Sequence, residues 1–211
     1  MMRDITTTVY KFAELSDSAK QKAIENNRYW NTEDDWFDCT IEDFKTIGGI
    51  LGIDFDTYPV KLMNGGVRQN SKIWFSGFSS QGDGASFEGR WQYAKGMAKK
   101  IREYAPEDKE LHKIADCLAN IQRKWFYGIN TKISKSGRYC HEYSMQFEHY
   151  HNSDCEISES VTDEIDELMR DLARWLHSSL QKNYDYLTSD EAIRESIEAH
   201  EMEFNEDGLN A

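Results

Sequence analysis

Five residues of types that bind zinc occur in a short stretch of the C-terminal half: Cys140, His141, His149, His151 and Cys155. A structural zinc site needs four nitrogen or sulfur ligands close together in space. On an extended strand over residues 138–151, His141 would lie far from His149. Only His149, His151 and Cys155 can converge, and a fourth ligand would have to come from elsewhere. We therefore expect no bound metal.

The segment Ser79–Gly84 is rich in glycine and small polar residues and joins two predicted strands. Gly82 and Gly84 permit backbone angles closed to other residues, and Asp83 can accept hydrogen bonds from the turning backbone. The spacing matches neither the P-loop nor the dinucleotide-binding pattern, and no helix follows. Two interpretations remain open. The loop satisfies its own hydrogen bonds, or it binds a ligand or partner through Gln81 and Asp83.

The sequence has no spacing typical of nucleophilic catalysis. The G-x-S-x-G elbow is missing. Carboxylate pairs such as Asp34/Asp35 and Glu42/Asp43 are adjacent, so on a helix their side chains do not face each other. We expect no catalytic residues, no cofactor and no enzymatic activity. The four cysteines form no C-x-x-C pair, which favours free thiols in a cytosolic protein.

Both helices and strands are predicted to position these residues. Hydrophobic spacing and turn residues predict helices over residues 16–27, 33–51, 96–104, 107–125, 158–187 and 190–205. Strands are predicted over residues 6–12, 53–58, 71–78, 85–93, 126–135 and 138–151. This order predicts an α+β fold with an antiparallel sheet of about five strands covered by helices. We expect one domain over residues 1–187 and an acidic C-terminal helix and tail over residues 188–211.

Apolar residues at helical spacing predict the core. We expect Trp125, Leu172 and Trp175 to be buried, because each lies on the apolar stripe of its helix. The aromatic residues Tyr29, Trp30, Trp36 and Phe37, around a turn between two predicted helices, are also expected to pack inside. An exposed Trp30 or Trp36 would instead indicate a partner surface, since tryptophan often anchors protein interfaces.

The negative charge is concentrated at the C-terminal end. The chain has 38 acidic and 25 basic residues among 211, a net charge of −13. Residues 156–211 hold sixteen acidic and four basic residues, a net charge of −12. Three interpretations remain open: a solvated helix face, carboxylates that imitate DNA phosphates and capture a basic protein, or intramolecular contact with the basic residues Lys95, Lys99, Lys100 and Arg102.

Composition excludes several broad classes. Aromatic residues make up 13% of the chain, far more than disordered proteins contain. No apolar run approaches the roughly 18 residues of a membrane-spanning helix, and the first residues lack the apolar stretch of a signal peptide. Strong acidity argues against a general nucleic-acid binder. We expect a cytoplasmic protein.

The string FSGFSSQGDGASFEG, from Phe75 to Gly89, resembles a family of bacteriophage and prophage proteins labelled "antitoxin of toxin–antitoxin stability system". The opening residues 9–12 and 14–17 and the stretch Trp36–Phe44 are similar too, so the resemblance covers roughly residues 8–93. It implies a phage-encoded accessory protein that counteracts a toxin or a host defence system. It supplies no site residues.

These observations predict a phage-encoded, non-enzymatic, antitoxin-like inhibitor in the cytoplasm of a bacterial host. It would neutralise a toxin or antiviral defence protein with a basic surface by stoichiometric binding. Glu191, Glu195 and Glu198 are the candidate contacts on the acidic helix, and direct binding of nucleic acid or membrane is not expected. The alternative is a small-ligand-binding protein or minor enzyme that uses the loop at residues 79–84.

Overall fold

The computed structural model describes residues 8–63 and 65–211. Its α-helices are α1 (Asp17–Asn26), α2 (Asp38–Leu51), α3 (Met97–Tyr104), α4 (Lys109–Lys124), α5 (Glu159–Leu187) and α6 (Asp190–Ala199). Its strands are β1 (Tyr10–Lys11), β2 (Ile53–Phe55), β3 (Thr57–Lys61), β4 (Val67–Ser71), β5 (Ile73–Phe75), β6 (Ala85–Phe87), β7 (Gly89–Trp91), β8 (Ile129–Lys135), β9 (Met145–His151) and β10 (Glu203–Phe204).

The strand pairs are antiparallel, so the predicted α+β class is confirmed in outline. Within the described residues the largest sheet has four strands in the order β2–β7–β8–β9. The pairs β1–β10, β3–β4 and β5–β6 form separate two-stranded sheets. A single sheet of about five strands is therefore not confirmed.

A junction of three strands explains why the predicted strands divide among several sheets. The amide of Asp56 donates to the carbonyl of Glu88, Lys72 donates to Asp56, and Glu88 donates to Lys72, at 2.7–3.0 Å. The Lys72 ammonium also lies 2.8 Å from the Glu88 carboxylate. Asp56, Lys72 and Glu88 each interrupt one predicted strand. The segments before and after the interruption therefore pair with different strands.

Contacts group the chain into two compact units. Unit 1 joins both ends of the chain, residues 1–38 and 181–211, and unit 2 comprises residues 39–180. In the described part of unit 1, β1 pairs with β10 and α1 packs near α6. Their shared core is built from Phe12, Leu15, Ala19, Ala23, Ile24, Ile193, Ile197 and Phe204. The predicted boundary at residue 187 remains a prediction.

The core of unit 2 includes Phe44, Phe87 and Trp91, all fully buried. Leu172 is also buried, as predicted, but Trp125 and Trp175 are only half-buried. Both indoles lie at the edge of the core beside polar groups. Trp175 donates its Nε1–H to Asp108, and the Trp125 ring packs 6.2 Å from the ring of His151.

Several element boundaries differ from the predictions for local reasons. The second helix begins at Asp38 instead of residue 33, because residues 33–37 form bends and a turn after the 3-10 turn at residues 30–32. Strand β8 begins only at Ile129, since Phe126 and Tyr127 have left-handed backbone angles. The last helix ends at Ala199, and the chain then turns to form β10. Residues 6 and 7 of the first predicted strand lie outside the described residues.

Candidate functional site

The candidate residues Glu191, Glu195 and Glu198 occupy one face of α6. Their spacings of four and three residues place them on the same side of the helix, about 6 and 4.5 Å apart along its axis. All three are exposed, and none forms an ion pair with a described residue. The buried residues Ala192, Ile193 and Ile197 anchor the helix in unit 1. The site is thus a row of free carboxylates on a packed helix.

This row belongs to a larger acidic surface. The described part of unit 1 has sixteen acidic and six basic residues, a net charge of −10, and all sixteen acidic residues are exposed. Unit 2 has 21 acidic and 18 basic residues, a net charge of −3. Within the described part of unit 1, ion pairs involve only three of these acids, namely Glu25 and Asp190 with Arg28, and Glu203 with Lys11.

Asp190 shows how pairing changes one carboxylate at the start of α6. The Arg28 guanidinium donates a hydrogen bond to it and holds the pKa of Asp190 below its ordinary value. Arg28 also donates to the carbonyl oxygen of Thr188, so it fixes the turn before the helix. Asp190 therefore has a structural contact, whereas the Glu191–Glu198 face is left for solvent or a partner.

Aromatic side chains are also exposed on unit 1. Trp30 is 40% exposed, and its ring meets that of His200 edge-on at 6.0 Å. Tyr29 and Tyr186 are 61% and 57% exposed. Trp36, in contrast, packs against the ring of Tyr184 at 5.5 Å. The expectation that this aromatic group lies inside is therefore wrong for Tyr29 and Trp30, while Trp36 is partly buried. The exposure of Trp30 is the outcome that indicates a partner surface.

The glycine-rich loop uses one of its two candidate residues internally. The Asp83 carboxylate accepts hydrogen bonds from the backbone amides of Ser80 and Ser79 at 2.7 and 2.9 Å. These bonds lower the pKa of Asp83, and the residue is only half-exposed. Gln81 is exposed, and its amide makes no hydrogen bond to a described residue. Asp83 thus uses one carboxylate oxygen, Oδ2, inside the loop, and Gln81 is the more exposed candidate for a ligand.

Gln81 and Gly82 form one wall of an open cavity of about 680 Å³. The facing wall comes from the hairpin before β9 and consists of Ser136, Tyr139, His141, Tyr143 and Ser144. A Cβ at Gly84 would lie only 3.1 Å from the Cα of His141, so glycine permits this close approach. The loop is predictable from its glycines, but this wall is not, because the strand pattern continues through residues 142–144, which form a 3-10 turn.

His149 and His151, two of the residues considered as zinc ligands, have other partners. His149 contacts the Thr131 hydroxyl through Nδ1 at 2.9 Å and the Asp166 carboxylate through Nε2 at 2.8 Å. The Nε2 atom of His151 lies 2.9 Å from the carbonyl oxygen of Trp125, and its Nδ1 bonds to Ser153. In the part of the chain that the structure describes, no group of three His, Cys, Asp or Glu side chains is placed to hold a metal ion.

Thr131, His149 and Asp166 are hydrogen-bonded in a row. A hydroxyl, an imidazole and a carboxylate in this order are found in catalytic triads. Thr131 is fully buried, however, so its hydroxyl cannot reach a substrate. The three residues belong to β8, β9 and α5. Their hydrogen bonds therefore join two strands to a helix.

Comparisons with known proteins place the chain in one family. No helix within residues 8–63 and 65–211 has the length and apolar character needed to cross a membrane. Neither the search of curated proteins nor that of solved structures finds a match. The model of DUF8835, a domain of unknown function, matches residues 36–190, which include all of unit 2 and end just before Glu191. Because this match covers more than half of the chain, the protein belongs to the DUF8835 family.

Proposed function

We propose that this protein is a stoichiometric, non-enzymatic inhibitor that binds a basic protein surface through unit 1. The observation that carries the proposal is that the acidic residues of unit 1 are exposed and mostly without ion pairs. All sixteen described acidic residues are exposed, and thirteen of them form no ion pair with a described residue. Clustered free carboxylates repel each other, which lowers the stability of the folded unit. A basic partner relieves that repulsion.

The partner that fits this surface is a protein that normally binds nucleic acid. DNA presents one phosphate about every 3.4 Å along each strand. Glu191, Glu195 and Glu198 are spaced by about 6 and 4.5 Å along the axis of α6, a row of charges on a rigid element that is somewhat less dense than the phosphates of one strand. Exposed Trp30 adds an apolar anchor in the same unit. The acidic surface therefore competes for lysine and arginine residues that contact phosphates.

The resemblance to phage proteins labelled as antitoxins supports the biological setting. In that setting the partner is a toxin or an antiviral defence protein in the cytoplasm of a bacterial host. Stoichiometric masking needs no catalytic group in the inhibitor.

Affinity capture with a matched pair of variants tests the proposal. Tagged wild-type protein is expected to retain a basic partner from a host lysate, and double-stranded DNA is expected to displace it. The variant Glu191→Lys/Glu195→Lys/Glu198→Lys should lose that partner. The control Glu107→Lys/Glu156→Lys/Glu164→Lys makes the same charge change at exposed, unpaired positions of unit 2 and should retain it. Equal retention by both variants would contradict the proposal.

A second candidate function is favoured by the cavity beside the glycine-rich loop. Its volume of about 680 Å³ and the free amide of Gln81 suit a small polar ligand. Native mass spectrometry of the purified protein is expected to reveal such a ligand, and Gln81→Ala/Tyr143→Ala should release it. If no bound species is present, and a library of common metabolites leaves the melting temperature unchanged, this second function is wrong.

A further inference from the structure

A smaller cavity of about 180 Å³ lies in unit 2 between the start of α3 and the end of α4. Its lining includes Tyr93, Gly96, Lys99, Asn120, Arg123 and Tyr127. Two aromatic rings, two cations and an amide thus surround one small cavity. This cavity shares no lining residue with the cavity beside the loop at residues 79–84.

The aromatic part of the cavity is a ring pair that remains open to solvent. The ring centroids of Tyr93 and Tyr127 are 4.4 Å apart, and the two residues are 36% and 47% exposed. The neighbouring Phe126 is 88% exposed. Phe126 and Tyr127 have backbone φ angles of 51° and 61°, a region disfavoured for residues with a Cβ. Folding therefore holds three exposed rings at this corner despite an unfavourable backbone conformation.

The cations around the cavity are largely free. Lys99 lies 3.5 Å from Glu103, but its side chain is 82% exposed. Arg123 is exposed and donates to the side-chain oxygen of Asn120 at 2.7 Å, which orients its guanidinium without neutralising it. Lys95, Lys100 and Lys124 are exposed too, with no ion pair to a described residue. Residues 94–124, which include most of the lining residues, have eight basic and five acidic side chains.

We propose that this cavity binds a nucleotide, with the base against the Tyr93–Tyr127 pair and the phosphate on Lys99 and Arg123. Stacking of bases on aromatic side chains beside a positive groove is the general way in which proteins hold unpaired nucleotides. Arginine also bonds phosphate oxygens through two parallel N–H groups. The nucleotide is either free or one unit of a single strand, since both present the same base and phosphate.

This site departs from the expectation that the protein does not bind nucleic acid. That expectation rested on the net charge of the chain, −13. The described part of unit 1 carries −10 of it, and unit 2 carries only −3. The Debye length is about 10 Å at 0.1 M salt, so the charges that line the cavity, Lys99 and Arg123, contribute most to binding of a phosphate there.

Equilibrium binding of two probes to the full chain tests the proposal. The probes are adenosine monophosphate and a fluorescent eight-nucleotide deoxyadenosine strand, each titrated at 50 mM salt and higher. Saturable binding is expected for at least one of them. Comparable affinities would identify a free nucleotide as the ligand, and an affinity at least tenfold higher for the strand would identify single-stranded nucleic acid.

Variants locate the binding at the cavity. Tyr127→Ala should weaken binding about 5- to 150-fold, the range for loss of one base–aromatic stack. Tyr127→Phe keeps the ring and should bind nearly as well as the wild type. Arg123→Gln should weaken binding of the strand and reduce the slope of log affinity against log salt by about 0.7. Lys109→Gln removes a charge about 21 Å away on the same helix and should change the affinity less than twofold.

Two results would overturn the proposal. One is the absence of saturable binding by either probe to the folded wild-type protein. The other is equal weakening by Lys109→Gln and Arg123→Gln, which would show attraction to positive charge in general and no defined site. If Tyr127→Ala lowers the melting temperature, Tyr93→Ala takes its place. This variant removes the other ring of the pair, and its affinity is compared with that of the wild type in the same way.

Discussion

At the scale of single residues, Asp108 holds two helices of unit 2 together. One oxygen of its carboxylate accepts a hydrogen bond from the amide of Leu111 at 2.9 Å and so caps α4. The other oxygen accepts from Nε1 of Trp175, on α5, at 2.7 Å. The same carboxylate therefore satisfies a free amide at a helix end and a half-buried indole N–H.

We predict that Asp108→Ala lowers the free energy of unfolding by about 2–4 kcal/mol, since it removes a helix cap and a hydrogen bond to a charged group. Trp175→Phe removes only the second of these bonds and should cost about 1–2 kcal/mol. Urea denaturation measures both. A Trp175→Phe protein as stable as the wild type would show that the indole bond contributes nothing.

The spacing of apolar residues predicted α4 and the stripe on α5, but not this contact. Periodicity shows which face of a helix is apolar, and Leu172 on that face is fully buried. It does not show that Trp175 needs a hydrogen-bond acceptor from a residue 67 positions away. That need holds the ring at the edge of the core, where it stays partly exposed.

At the scale of elements, the end of the chain packs tightly onto α1. Gly208 has a φ angle of 81°, and a Cβ there would lie 2.1 Å from the carbonyl oxygen of Ala19. We predict that Gly208→Ala destabilises the protein by more than the roughly 1–2 kcal/mol that a left-handed angle costs alanine. Gly137→Ala is the matched control, because Gly137 has a φ of 74° and open space around it.

Thermal unfolding measures how much stability each of the two variants loses. The loss in Gly208→Ala beyond that in Gly137→Ala measures the steric overlap with α1. If both variants lose the same stability, the C-terminal segment moves aside at no cost, and its packing on α1 is looser than the structure indicates.

Helices α3 and α4 are joined by a pair of hydrogen bonds that depends on pH. The Arg102 guanidinium donates to both carboxylate oxygens of Asp116, at 2.6 and 3.0 Å, and this lowers the pKa of Asp116. The unfolded chain keeps the ordinary value near 3.9. The stabilising effect is therefore complete at pH values above 3.9 and is lost as the pH falls through the lower value of the folded state.

We predict that Asp116→Asn lowers the melting temperature at pH 7 by about 1–2 °C, because the pair is exposed and screened by water. The difference from the wild type should shrink below about pH 4. Asp163→Asn, at an exposed position with no ion pair to a described residue, should show no such trend. A difference that persists at pH 2 would mean that the Asp116 contact does not act through its charge.

The regions that form strands could be predicted, but the sheets to which they belong could not. Residues 53–58, 71–78 and 85–93 do contain extended chain, as their alternating and aromatic composition indicates. The breaks at Asp56, Lys72 and Glu88 arise from hydrogen bonds among three strands far apart in sequence. No local pattern in a single strand predicts such a junction.

At the scale of the whole molecule, folding redistributes the acidic residues. In the sequence they form a C-terminal quarter with a net charge of −12. In the structure, residues 156–180 belong to unit 2, while N-terminal acids such as Glu14, Asp17 and Glu25 join α6 in unit 1. Glu191, Glu195 and Glu198 could be identified from helical spacing alone. The rest of the surface could not, because it depends on how the two ends of the chain come together.

The most direct test of the acidic surface is the rate at which the captured partner associates. Opposite charges accelerate encounter, and salt screens them as the Debye length falls from about 10 Å at 0.1 M to about 3 Å at 1 M. Association with the wild type should therefore slow markedly over this range, while dissociation changes little. Glu191→Lys/Glu195→Lys/Glu198→Lys should associate slowly at all salt concentrations and melt like the wild type.

The same kinetic measurement on Glu107→Lys/Glu156→Lys/Glu164→Lys completes the comparison. We predict that this control keeps most of the wild-type association rate and its dependence on salt. The account is contradicted if the α6 variant binds the partner as fast as the wild type does at 0.1 M salt. It is also contradicted if the α6 variant loses thermal stability while its affinity stays unchanged, since the acidic face would then contact the protein's own basic residues.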